Sequence, residues 1–70
     1  MESNEIFESC SWKPYEVNGI KGWINNRNYI ILFPERTGYC YLQQEGMPPI
    51  MLLPGDIFAI YKKLEEDNYL

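Results

Sequence analysis

A reactive chain needs a base, a nucleophile or a metal cage, and this sequence of 70 residues holds few of the parts. It has no histidine, so the commonest general base and the usual Ser–His and Cys–His nucleophile pairings are absent. Cys10 and Cys40 are the two cysteines. Without histidine they do not make a zinc site, and in a reducing compartment they read as unbonded small apolar residues, a disulfide being the lesser alternative. Asp56, after Pro54-Gly55, reads as a turn or helix-capping residue. Glu65-Glu66-Asp67 reads as a solvated acidic run, and the glycines of "NGIKG" and "RTG" lack the spacing of a phosphate loop. The chain is therefore expected to be no enzyme and to need no cofactor.

Binding is what remains. Two tryptophans and six tyrosines carry a polar handle on an aromatic body, and three phenylalanines accompany them. A chain this short cannot enclose them all, and Trp, Tyr and Arg are the types enriched at binding hot spots. The expected partner site is a rim formed by the "NNRN" turn and the "PERTG" loop, with Trp23, Arg27, Tyr29, Arg36 and Tyr39 close together. The expected function is a protein-interaction module, inhibitor or accessory protein. Two alternatives stand beside it: a small barrel binding single-stranded nucleic acid, and an acidic mimic of nucleic acid. Self-association through surplus surface rings is a further expectation.

Charge weighs on that choice. The net charge is −4, which argues against a polyanion as partner. It is unevenly spread: Glu2, Glu5 and Glu8 place −3 in the first ten residues, residues 11–40 carry +2, and residues 41–70 carry −3. The N-terminus "MESNEIFESC" is acidic and lacks an apolar core, so no secretory signal is read there. The runs "YIILF" and "IMLL" are too short to span a bilayer. A cytoplasmic protein with no membrane contact is expected.

The elements that must carry these residues read mostly as strands of one domain. In "YEVNGIKGW", Asn18-Gly19 is a type I′ turn signal. A two-residue loop sets Val17 opposite Ile20, Glu16 opposite Lys21, and Tyr15 opposite Gly22. The charges are opposite and the ring faces a glycine, so three pairs agree on one register. The hairpin spans Tyr15–Val17 and Ile20–Ile24. "EIFESCSW" alternates enough to be a first strand ending before Pro14, Tyr29–Phe33 reads as a strand buried on both sides, and Tyr39–Gln43 as another. "QEGMPP" is a loop, Ile50–Leu53 a short apolar strand, and Ile57–Lys62 a last strand followed by an acidic tail. The alternative for that last stretch is a helix from Ile57 to Asp67, with Asp56 as its N-cap and Ile57, Ile60, Tyr61 and Leu64 on one face. It would make the fold α+β.

The expected fold is mainly β, a barrel of five to six short antiparallel strands. This order of strands and turns resembles an SH3-type or OB-like small barrel in general outline. The acidic loop and paired tyrosines of a peptide-binding SH3 domain are not found in the sequence. In size and composition the chain also resembles compact accessory proteins of phages and mobile elements.

Overall fold

The computed structural model describes residues 2–43 and 52–70. Helix α1 (Ser3–Ser9) comes first, followed by strands β1 (Lys13–Val17), β2 (Ile20–Ile24), β3 (Ile30–Phe33) and β4 (Tyr41–Gln43), and helix α2 (Pro54–Glu66) comes last. The strands form one antiparallel sheet in sequence order, β1-β2-β3-β4. Among the described residues this is a small β-rich fold of a four-stranded sheet and two short helices, and the sheet does not close into a barrel.

The hairpin at Asn18-Gly19 forms in the expected register, with Val17 opposite Ile20, Glu16 opposite Lys21, and Tyr15 opposite Gly22. Both turn residues sit at positive φ, +52° and +79°, as a type I′ turn requires. The ladder continues to Lys13 and Pro14, which lie on the edge strand, where a missing N–H costs no ladder bond. Gly22 is needed for a second reason. A Cβ there would run into the Ile31 carbonyl and stand 2.9 Å from the Leu32 Cα, so β2 and β3 approach through it. Strand β3 is the buried centre of the sheet. Ile31 and Phe33 point to one face and Leu32 to the other, and all three are buried.

Two expected strands are helices instead, and this is why the barrel does not form. Ile6 and Phe7 are adjacent, yet both enter the core. A strand would send them to opposite faces; a helix puts Ile6, Phe7 and Cys10 on one side. The start of α1 is fixed by Glu5, whose carboxylate accepts the Glu2 N–H at 3.0 Å while the Glu5 N–H donates to the Glu2 carbonyl. Helix α2 uses the same device. Asp56 is its third residue rather than its N-cap, and its carboxylate accepts the Leu53 N–H at 2.8 Å. Pro54 stands at the first position, where its fixed φ suits a helix and its absent N–H is not missed.

Acid is disfavoured at the C-terminal end of a helix, and in α2 it is compensated. Lys62 pairs with Glu65 at 2.8 Å, and Lys63 with Asp67 at 3.1 Å. Glu66 reaches α1, as described below. Of the expected strand Ile50–Leu53, the first two residues lie outside the described ones, and so does the "QEGMPP" loop. Leu53 is the N-cap of α2 and belongs to no strand.

The helices run antiparallel against each other, with Ser3 beside Glu66 at one end and Cys10 beside Gly55 at the other. The core lies between them and one sheet face. Phe7 is fully buried and stacks on Trp23, centroids 4.8 Å apart and planes 16° off parallel. It meets Trp12 and Phe33 edge-on. Offset stacking and edge-to-face contact suit the ring quadrupoles, so this one side chain joins α1 to β2 and β3.

Candidate interaction surface

The five residues expected at one rim are not brought together. The Asn25–Asn28 turn and the Pro34–Gly38 loop lie at opposite ends of β3, because in a meander the β2–β3 and β3–β4 connections emerge from opposite ends of the shared strand. Arg27 is exposed in the first turn and Arg36 in the second loop. Tyr29 is buried in the core, where its backbone is held by Asn25: Oδ1 accepts the Tyr29 N–H at 3.0 Å, and the Asn25 N–H donates to the Tyr29 carbonyl at 3.1 Å. Trp23 is half-buried under the stack with Phe7. Tyr39 is exposed and lies beside Tyr41, ring centroids 6.5 Å apart.

Trp23 and Arg36 do share an open cleft of about 1020 Å3, which also includes Lys21, Phe33, Lys63 and Tyr69. It is the part of the helix-facing side of the sheet that the helices leave uncovered. Carboxylates and cations are mixed along it, and Lys63 stands 6.0 Å from the centre of the Phe33 ring. No set of three or more Cys, Asp or Glu side chains able to hold a metal ion occurs among the described residues. Both cysteines are unbonded and half-buried, and burial pushes the Cys40 thiol up, which disfavours the nucleophilic thiolate.

Among the described residues, α2 carries a row of exposed apolar side chains. Leu53, Ile57 and Tyr61 follow one another at intervals of four, Phe58 lies beside them, and all four are between 49 and 61% exposed. Residues four apart share a helix face, so these side chains form one stripe. Ala59 is buried in the core, and Ile60 and Leu64, on the flank of the helix between Ala59 and the stripe, are partly buried against it. Asp56 secures the inner side. Its Oδ1 accepts the Trp12 indole N–H at 2.8 Å, and both residues are buried. The sequence held a signal for the stripe in the run of Ile57, Phe58 and Tyr61. It was hidden because a strand would have turned Ile57 and Phe58 to opposite faces.

Charge is segregated between the layers. The helical segments, residues 2–9 and 52–70, hold Glu2, Glu5, Glu8, Asp56, Glu65, Glu66 and Asp67 against Lys62 and Lys63, a balance of −5. Residues 10–43 hold Lys13, Lys21, Arg27 and Arg36 against Glu16 and Glu35, a balance of +2. The two helices are tied where Glu66 accepts the Ser3 N–H at 2.7 Å and the Ser3 hydroxyl at 2.6 Å. The bond from the hydroxyl, with help from the backbone N–H, holds the Glu66 carboxyl below the usual carboxylate range.

No protein-family model matches the chain, and neither the curated proteins nor the solved structures gave a match. No helix among the described residues is long and apolar enough to cross a membrane.

Proposed function

We propose that this protein is a small, non-enzymatic interaction module that binds a protein partner. The observation that supports this reading is the stripe of Leu53, Ile57, Phe58 and Tyr61 standing in solvent on a helix whose other side is already packed. Scattered exposed apolar residues are ordinary, whereas a contiguous, regularly spaced row on a monomer marks an interaction site. Two of the four are aromatic and can bury large area at low entropy cost. The partner site thus moves from the loop rim to α2, with Tyr39 and Arg36 on separate surfaces.

The single-strand binding alternative gains little. Base stacking needs open sheet aromatics beside a basic groove, and Trp23 is already stacked on Phe7 while the cleft beside it mixes both signs of charge. The mimic alternative needs free, regularly placed carboxylates, yet Glu65, Glu66 and Asp67 are each engaged within the chain.

Affinity capture from the native host with the parent chain and with a Phe58→Ser, Tyr61→Ser variant tests the reading. A partner retained by the parent and lost by the folded variant is expected. Identical capture by both, with circular dichroism confirming that both are folded, refutes it.

A further inference from the structure

The turn that organises the sheet also holds the parts of a covalent reaction. Asparagine is a thermolabile residue, because the backbone nitrogen of the next residue can attack its Cγ. A side chain on that next residue obstructs the approach. Among the asparagines, Asn18 alone is followed by glycine. A Cβ placed on Gly19 would meet nothing within 4 Å, and both residues are exposed to water. In the reaction the bond from the Gly19 nitrogen to Asn18 Cγ forms and the Cγ–Nδ2 bond breaks. The Gly19 amide proton leaves with Nδ2 as ammonia. Water then opens the cyclic imide at either carbonyl, giving aspartate or isoaspartate. The sum is water taken up and ammonia released, with no oxidant or cofactor.

The fold decides when this happens. The ring is made of Cα, Cβ, Cγ and the carbonyl carbon of Asn18 with the Gly19 nitrogen. Cβ and that nitrogen must therefore lie on the same side of the bond from Cα to the carbonyl carbon. Asn18 stands at φ = +52° and Gly19 at +79°, in a loop closed by the Val17–Ile20 pair. In such a type I′ turn ψ at the first position is about +30°. For an L-residue that setting carries the Gly19 nitrogen to the far side, and no rotation of the Asn18 side chain brings Cγ to it. The pairs Glu16–Lys21 and Tyr15–Gly22 keep the turn in this form. Strand β1 is an edge strand held by β2, so opening the turn releases one strand and leaves the rest of the sheet paired.

We propose that Asn18 is a modification site gated by its own hairpin: it converts to aspartate or isoaspartate from chains whose β1–β2 turn has opened, and isoaspartate stops β1 from pairing again. The two products differ in consequence. Aspartate–glycine is itself a type I′ sequence, so the aspartyl chain rebuilds the hairpin. Isoaspartate runs the main chain through Cγ, one carbon longer, and the loop no longer sets Val17 opposite Ile20. A chain that opens here often is thereby marked and does not regain β1.

The test ages the full chain at one mildly alkaline pH, in buffer and in guanidinium chloride that unfolds it. Peptide mass spectrometry follows the replacement of NH2 by OH at each asparagine. In the unfolded parent Asn18 should convert faster than any other asparagine. In the folded parent it should convert at least about tenfold more slowly, since the reaction tracks the open population. A Glu16→Lys variant sets like charges opposite each other at Lys21, and in buffer it should convert about twofold or more faster than the parent. Equal rates in all three overturn the gate, and conversion led by another asparagine overturns the site. Hydrogen exchange on a synthetic chain with isoaspartate at position 18 and on an Asn18→Asp variant tests the consequence. The isoaspartyl chain should lose protection at the β1 amides and keep it in β3, while Asn18→Asp keeps both. An isoaspartyl chain whose β1 exchanges like the parent's overturns that part of the proposal.

Discussion

The indole N–H of Trp12 donates to Oδ1 of Asp56 across 2.8 Å, while Oδ2 of the same carboxylate accepts the Leu53 N–H at 2.8 Å. One buried aspartate thus starts α2 and ties that start to the segment leaving α1, 44 residues earlier in the chain. A hydrogen bond donated to a carboxylate inside the protein is among the stronger kinds, and loss of the carboxylate leaves two donors without partners.

Asp56→Ala is therefore expected to destabilise the fold by about 2–4 kcal/mol, lowering Tm by tens of degrees in a domain of this size. Asp56→Asn keeps one acceptor oxygen and should cost less. Thermal unfolding of the three proteins by circular dichroism measures both. A Tm for the alanine variant within a few degrees of the parent would show that the carboxylate holds nothing.

Phe7 is expected to be indispensable. It is fully buried and touches three other rings. Phe7→Ala removes about 3–5 kcal/mol, against a total stability of roughly 4–10 kcal/mol for a chain of this length. Near-ultraviolet circular dichroism at 25 °C should show the tryptophan signal collapsed or much reduced, because Trp12 and Trp23 both pack on this ring. A signal like the parent's would mean that the core closes without it.

Gly19 and Gly22 should fail for different reasons. At Gly19 the added Cβ meets open space, and the penalty comes from φ = +79°, about 1–2 kcal/mol for alanine and more for valine. At Gly22 the backbone is ordinary in φ but β3 occupies the space, so even alanine must push the strands apart. Urea denaturation should therefore rank Gly22→Ala at least as damaging as Gly19→Ala, and Gly19→Val as strongly destabilising. A Gly19→Val protein that unfolds with the parent would contradict the type I′ turn.

Glu66 gives the protein a stability term that depends on pH. Its folded pKa lies below the unfolded value, chiefly because the Ser3 hydroxyl donates to the carboxylate. The stabilisation is fully present above the unfolded range, about 4.3, and is lost as pH falls through the depressed folded value. Glu66→Gln should lower stability at pH 7 by a fraction of a kcal/mol, since the carboxylate is exposed and screened. The gap between variant and parent should then narrow below about pH 4. Denaturation midpoints from pH 7 to pH 3 would show it, and a gap that stays constant would deny the carboxylate any part in holding α1 to α2.

What the sequence determined by itself is what local forces decide. The asparagine–glycine step, three consistent cross-strand pairs and the dense apolar run Ile30–Phe33 specify the hairpin, its register and the central strand, because turn geometry and pairing act over a few residues. The tertiary structure decided the rest. Ile6, Cys10 and Trp12 satisfy a helical spacing for one pair and a strand spacing for the next, and Ile57–Tyr61 favours strand by residue type. Each segment becomes a helix because Glu5 and Asp56 secure its first turn and the other helix and the sheet cover its inner side. No local pattern says that Glu66 will meet Ser3, that Trp23 and Tyr29 will turn inward, or that acid from both chain ends will gather in one layer. Those are long-range contacts, fixed only when Ser3 and Glu66, 63 positions apart in the chain, come into hydrogen-bonding distance.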